Sequence, residues 1–246
     1  MRSRLSAFAA VLVVGVLTVP ASAAQPVSPQ SGGKTSVMVA RYDFDGRAGA
    51  VIDDTGKGHT MRLVSSRGGR LRVIRHGSGQ ALQFPGRCSG AKCPHAVLQS
   101  PHSADLNPGR RPILFGATVR LPAKQTTKGQ NVVQKGYSKK GSQYKLQIDG
   151  LMGRPSCVLV DTAKGGGIHL ARSAISVADG GWHAVQCRRV GTSFTVLIDG
   201  AVRGVTQVPA ALTVANKAPL SIGGKGAYSD NDQFQGTLDD VWVRIG

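Results

Sequence analysis

An all-β fold, built as two antiparallel sheets packed into a sandwich, is what this 246-residue chain predicts, and three observations carry the prediction. Short runs alternate apolar and polar side chains with a period of two, as a strand with one buried face requires. Asp45-Gly46, Asp149-Gly150, Asp179-Gly180 and Asp199-Gly200 supply the tight reversals of a chain that turns back often. No stretch holds an apolar period of 3.6 for the length of an ordinary helix, and parallel strands would need such crossovers, so the sheets are expected to be antiparallel.

Taken in order, residues 1–24 read as a secretory signal: Arg2 and Arg4, an apolar run from Leu5 to Val19, then Pro20 and the small-residue exit Ala21-Ser22-Ala23. The run is shorter than the ~20 residues of a spanning helix, and no second apolar tail follows, so a secreted chain with no membrane span after signal removal is expected. Residues 25–35, QPVSPQSGGKT, form a flexible Pro/Ser/Gly leader. Residues 36–246 read as one domain.

Within it the strands expected are Val37 to Phe44, Met61 to Val64, Leu71 to Arg75, Ala81 to Phe84 and Ala96 to Gln99. Ile113 to Leu121, Asn131 to Gln134, Tyr144 to Ile148, Cys157 to Val160, Leu220 to Ile222 and Thr237 to Ile245 follow the same pattern. The clearest unit is a meander: Trp182 to Val190 reverses at Gly191-Thr192, Ser193 to Ile198 alternates cleanly, and Asp199-Gly200 turns the chain back into Ala201 to Val205. Trp182 and Trp242 read as core residues, because large aromatics bring so much buried area.

All four cysteines, Cys88, Cys93, Cys157 and Cys187, lie in the exported part, where an even count favours disulfides. Three connectivities are possible; local pairing of Cys88 with Cys93 and a cross-strand Cys157–Cys187 staple is the expected one. A zinc site on Cys88, Cys93 and His95 is the alternative, with loose spacing and no evident fourth ligand.

Lys and Arg number 31 against 13 acidic residues, a net charge of +18, and every acid is aspartate. Such a field attracts polyanions: sulfated or uronic glycans, wall phosphates or nucleic acid. No nucleic-acid motif or aromatic-rich sheet face accompanies the charge, so specific nucleic-acid binding is not expected.

Three stretches carry a family resemblance: Tyr42-Asp43-Phe44-Asp45-Gly46 with Ile52-Asp53-Asp54-Thr55-Gly56-Lys57-Gly58-His59; Asp179-Gly180-Gly181-Trp182-His183-Ala184-Val185; and Phe234-Gln235-Gly236-Thr237-Leu238-Asp239-Asp240-Val241-Trp242-Val243. In order and spacing they resemble the laminin G-like, concanavalin A-like lectin/glucanase jelly-roll superfamily, over roughly Val37 to Gly246. The resemblance implies a jelly-roll sandwich. It also implies one calcium ion where the opening loop meets the last strand, held by Asp54 and Asp239 with loop carbonyls near Gly56. Asp230, Asn231 and Asp232 form a second oxygen-rich loop, a lesser candidate.

The hydrolases of that superfamily use paired glutamates, and retaining chemistry needs two carboxyl groups ~5 Å apart. This chain has no glutamate, Asp149, Asp161 and Asp199 stand singly, and no Gly-x-Ser-x-Gly elbow exists. The expectation is therefore a non-catalytic binding module for an extracellular, anionic glycan or a protein partner, assisted by calcium. A glycan hydrolase or a structural accessory protein pairing through a sheet edge are the alternatives. The expected ligand surface is the loop bearing Lys135, Tyr137, Lys139, Lys140 and Tyr144, where cations beside aromatic rings suit anionic sugars.

Overall fold

The computed structural model describes residues 36–46, 51–161 and 166–246; the expected signal at 1–24 and leader at 25–35 lie outside them. The described strands are β1 (Val37–Tyr42), β2 (Arg62–Ser66), β3 (Arg72–His76), β4 (Gly79–Gln83) and β5 (His95–Ser100). β6 (Ile113–Arg120), β7 (Gly129–Gly136), β8 (Gln143–Asp149), β9 (Arg154–Asp161) and β10 (Gly166–Arg172) follow. The chain closes with β11 (Trp182–Val190), β12 (Ser193–Ile198), β13 (Ala201–Gln207), β14 (Leu220–Ile222) and β15 (Thr237–Ile245). Helix is limited to single 3-10 turns among the described residues, as the lack of a 3.6 period requires.

One sheet runs β13-β12-β11-β6-β15-β4-β3, with β1 also on β15, and the other runs β10-β9-β8-β7-β14-β5-β2. The described pairings are antiparallel, and the two sheets face each other as a jelly-roll sandwich. At the predicted reversal, Asp199 (φ 52°) and Gly200 (φ 79°) both sit in the left-handed region, the geometry that makes a two-residue hairpin match strand twist. One strand escapes the sequence pattern: β10 begins inside a glycine run and pairs with β9 through a register shift between Gly166 and Ile168.

The inward faces meet in one core, where Phe115 of β6 lies against Tyr144 of β8 with ring centroids 5.1 Å apart and both residues fully buried. Cys157 of β9 and Cys187 of β11 join there, so the expected staple links the two sheets through the core; Cys88 pairs locally with Cys93. That local bond consumes both thiols of the zinc alternative, and His95 is buried in β5. Neither Trp182 nor Trp242 belongs to the buried core, contrary to expectation. Both stand half-buried on the outer face of their sheet, Trp182 stacked on the His76 ring at 4.0 Å.

Two margins bound the sandwich. At one, β10 and β13 close on each other: Ala174 N–H donates to the Arg203 carbonyl (3.2 Å), and a Cβ on Gly204 would fall 2.1 Å from the Arg172 carbonyl oxygen. At the other, β2 and β3 end their respective sheets and are joined by a short turn, Gly69 N–H to the Ser66 carbonyl (2.9 Å).

Candidate functional site

The β2–β3 margin carries a run of arginines close together in sequence. Between Met61 and His76 stand Arg62, Arg67, Arg70, Arg72 and Arg75, with no lysine and no acid among them. All five are exposed: Arg62, Arg72 and Arg75 because edge strands keep one flank in water and these strands keep most of both faces there too, Arg67 and Arg70 because they stand in the turn between the strands. Arg67 Nη1 donates to Ser229 Oγ (3.1 Å) and Arg75 Nε to the Gly77 carbonyl (3.5 Å). None of the five forms an ion pair among the described residues, whereas Arg41 is matched by Asp240 at 3.0 Å. Charge on an edge strand prevents edge-to-edge association, and arginine specifically adds a planar fork suited to sulfate, carboxylate or phosphate. Beside the strands opens a cleft of about 340 Å3, lined by Leu63, Leu71, Val73, Leu82 and Leu98 and, among charged groups, by Arg70, Asp43 and Asp54.

The expected ligand loop does not assemble as one surface. Lys135 lies opposite Tyr144 in the β7–β8 ladder, and residues directly paired across strands share a face, here the inward one. Its stem is therefore buried, and Nζ donates to Asn107 Oδ1 (3.0 Å), the Asn216 carbonyl (2.8 Å) and Asn216 Oδ1 (3.1 Å), with His102 Nδ1 at 3.4 Å. Burial without a carboxylate pulls its ammonium down to about 8. Tyr144 is in the core, its hydroxyl pushed up by burial. Tyr137 donates its hydroxyl to the Lys225 carbonyl (3.1 Å), Lys139 is exposed, and the Lys140 side chain lies outside the described residues. Lys135 and Tyr144 are thus pins of the scaffold and not part of an exposed ligand surface, a correction to the expectation that they would line one.

The calcium pair likewise divides. A bulge between Asp239 and Trp242, with Asp240 at φ 44°, turns the two acids of β15 apart. Asp240 goes to Arg41, while Asp239 Oδ2 meets His76 Nδ1 and Asp239 Oδ1 accepts the Asp240 N–H. Asp54 instead accepts the Asp43 N–H (2.9 Å); burial raises its carboxyl above the ordinary value against that hydrogen bond. Asp54 and Asp239 each have other partners, and among the described residues no three His, Cys, Asp or Glu groups are placed to hold a metal. As placed, both carboxylates are engaged by other groups, and the expected loop carbonyls would have to supply most of the six to eight oxygens calcium takes.

A family model described as the concanavalin A-like lectin/glucanases superfamily, of laminin G type, matches residues 116–244. The chain belongs to that superfamily. Among solved structures, this laminin G-type sandwich is similar to domain 4 of AbnA, a GH43 extracellular arabinanase from Geobacillus stearothermophilus in complex with arabinotriose. The TM-score is 0.64 at 16% identity, covering 87% of this chain and 94% of that one. The binding domain of Paraclostridial Mosquitocidal Protein 1 gives TM-score 0.62 at 10% identity, with 84% of this chain and 48% of that chain covered. The binding domain of Botulinum Neurotoxin DC in complex with SialylT gives 0.58 at 9%, with 84% and 47% covered. The chain thus spans about half of those toxin domains, and at such identities the likeness is one of fold. No curated protein matches.

The arginine margin was not singled out from sequence. Its signal was present, five arginines without an acid over one short stretch, but spread among 31 basic residues it stood out only once β2 and β3 proved to be neighbouring edges.

Proposed function

We propose that the protein is a secreted, non-catalytic binding module that captures an anionic extracellular glycan along the β2–β3 margin. The observation that carries this reading is the set of five exposed arginines, all without a carboxylate partner: Arg62, Arg72 and Arg75 on the two edge strands, and Arg67 and Arg70 in the turn that joins them. Unpaired guanidiniums keep their full electrostatic reach and their bidentate geometry for a ligand. Two disulfides, and the absence of any helix among the described residues long and apolar enough to cross a membrane, suit an extracellular domain. Two similar folds are described as binding domains, and a third, a domain of an arabinanase, is in complex with arabinotriose; these support binding. So does the lack of any glutamate for the acid–base pair.

The test is retention on a sulfated polysaccharide matrix as salt rises. Wild type is expected to elute later than a globular control of equal net charge, and the variant Arg70→Ser/Arg72→Ser/Arg75→Ser to elute with that control. Elution of wild type with the control, or of the triple variant with wild type, defeats the reading.

Calcium assistance through Asp54 and Asp239 requires the Asp54–Asp43 and Asp239–His76 contacts to open. A melting temperature that rises with calcium, falls with chelator and loses this response in Asp239→Ala would support it. Equal melting with calcium and with chelator would remove calcium from the account.

A further inference from the structure

Hairpin tips are ordinarily Gly, Asn, Asp or Ser, which tolerate the turn and suit water. The β8–β9 tip is Gly150-Leu151-Met152-Gly153, with two large apolar side chains at its centre. Leu151 is 68% exposed and Met152 64%, so neither packs onto the sandwich. The backbone beneath them is nonetheless fixed. Gly150 N–H donates to the Lys128 carbonyl (3.0 Å), Gly153 N–H to the Gly150 carbonyl (3.0 Å), and the Gly153 carbonyl accepts Val177 N–H (3.0 Å). Both glycines hold the left-handed φ values, 66° and 61°, that the turn needs.

Alongside, the segment that supplies Val177 exposes a third large apolar residue, Ile175 (41%), itself held by Ser173 through a pair of hydrogen bonds. Arg154 follows the tip in sequence, Lys128 is held beside it by the Gly150 N–H to Lys128 carbonyl bond, and both are exposed. The nearest acid along the chain, Asp149, is occupied by Gln147 and Ser156, with Arg172 at 3.9 Å. The apex therefore combines a braced backbone, unpacked apolar side chains and a cationic collar.

We propose that this apex docks on an anionic lipid surface, Leu151 and Met152 entering the acyl boundary while Lys128 and Arg154 meet the headgroups. A protein partner would bring its own apolar pocket; the basic collar around a small convex tip is complementary to a negatively charged bilayer. This site is separate from the arginine margin and does not depend on the reading of it.

The experiment is flotation of the whole protein with vesicles of phosphatidylcholine alone or mixed with phosphatidylserine. Wild type is expected to float with the mixed vesicles and not with the neutral ones. Leu151→Ser/Met152→Ser, which removes only exposed side chains, is expected to lose at least about ten-fold in affinity. Arg70→Ser/Arg72→Ser/Arg75→Ser is expected to float like wild type, and Leu151→Trp to shift its emission to the blue on mixed vesicles. Flotation of the double variant like wild type, unchanged emission of Leu151→Trp, or loss of flotation in the arginine variant instead would each overturn the proposal. So would concentration-dependent dimerisation that the double variant abolishes, since the apex would then belong to a second copy.

Discussion

The two margins of the sandwich were made from the same kind of element, an edge strand from each sheet, and ended differently. At the β10–β13 margin a glycine lets the backbones meet, Gly204 against the Arg172 carbonyl, and Cys157–Cys187 ties the two sheets through the core. At the β2–β3 margin the described structure has a short turn, a cleft and five uncompensated arginines. Closure removes an edge from solvent, whereas charge protects an edge while leaving it reachable. One margin is thus suited to stability and the other to recognition, and a substitution at either should change one property without the other.

The largest effect expected is on the closed half. Replacing Cys157 and Cys187 by serine removes a link between residues 30 apart in sequence, worth about 3–4 kcal/mol by loop-closure entropy. The melting temperature should fall by about 6–16 °C on the scale for a domain of this size, while retention on the sulfated matrix below the transition stays as in wild type. Unchanged melting would mean the sheets are held together without that bond. The arginine triple variant is the reciprocal test: its retention should collapse, yet its stability should stay within about 0.5 kcal/mol of wild type by denaturant titration, since exposed charges away from ion pairs contribute little. A marked loss of stability there would make the arginines structural and erase the distinction between the margins.

The smallest effect concerns the meander that builds the closed half. His183 lies between Asp199 (Nδ1 to Oδ2, 2.8 Å) and Asp179 (Nε2 to Oδ1, 3.1 Å), clamping the loop before β11 to the hairpin after β12. Burial lowers its affinity for a proton, but the hydrogen bonds to Asp199 and Asp179 outweigh burial and raise its pKa above the ordinary histidine value. Its stabilisation is fully present below the unfolded value of about 6.5 and fades as pH rises through the higher folded value. At the acid end, the lowered carboxyls of Asp179 and Asp199 keep the clamp until pH falls through their folded values. The stability difference between wild type and His183→Asn should therefore shrink from pH 6 toward pH 9 by about the scale of an exposed ion pair. A difference independent of pH would show that the imidazole acts only by packing.

Much of the fold was legible because its signals are local. Phe194, Val196 and Ile198 alternate with Ser193, Thr195 and Leu197, and Asp199-Gly200 can adopt the paired positive φ angles of a tight hairpin, so β12 and its turn followed from letters alone. β10 did not, since it opens on two glycines and its remaining side chains, Ile168 to Arg172, make too short a run to set a period. The ligand surface was misjudged at Lys135 for a different reason. Alternation states that Lys135 and Gln134 point to opposite faces, but which face is inward depends on the register with Tyr144, set by pairing with another strand. Asp239 and Asp240 look equivalent in sequence, yet one bulge in β15 sends them to His76 and Arg41.

By itself, then, the chain's lettering determined the strands, the turns, the excess of cation over acid and the shortage of groups for acid–base chemistry, because each of these is set by neighbouring residues or by composition. Only the tertiary structure decided which cations are spent inside, as Lys135 is, and which stay free, as the five arginines do. The reason is geometric: exposure belongs to a position in the sheet order, and sheet order comes from pairings between strands far apart in the chain.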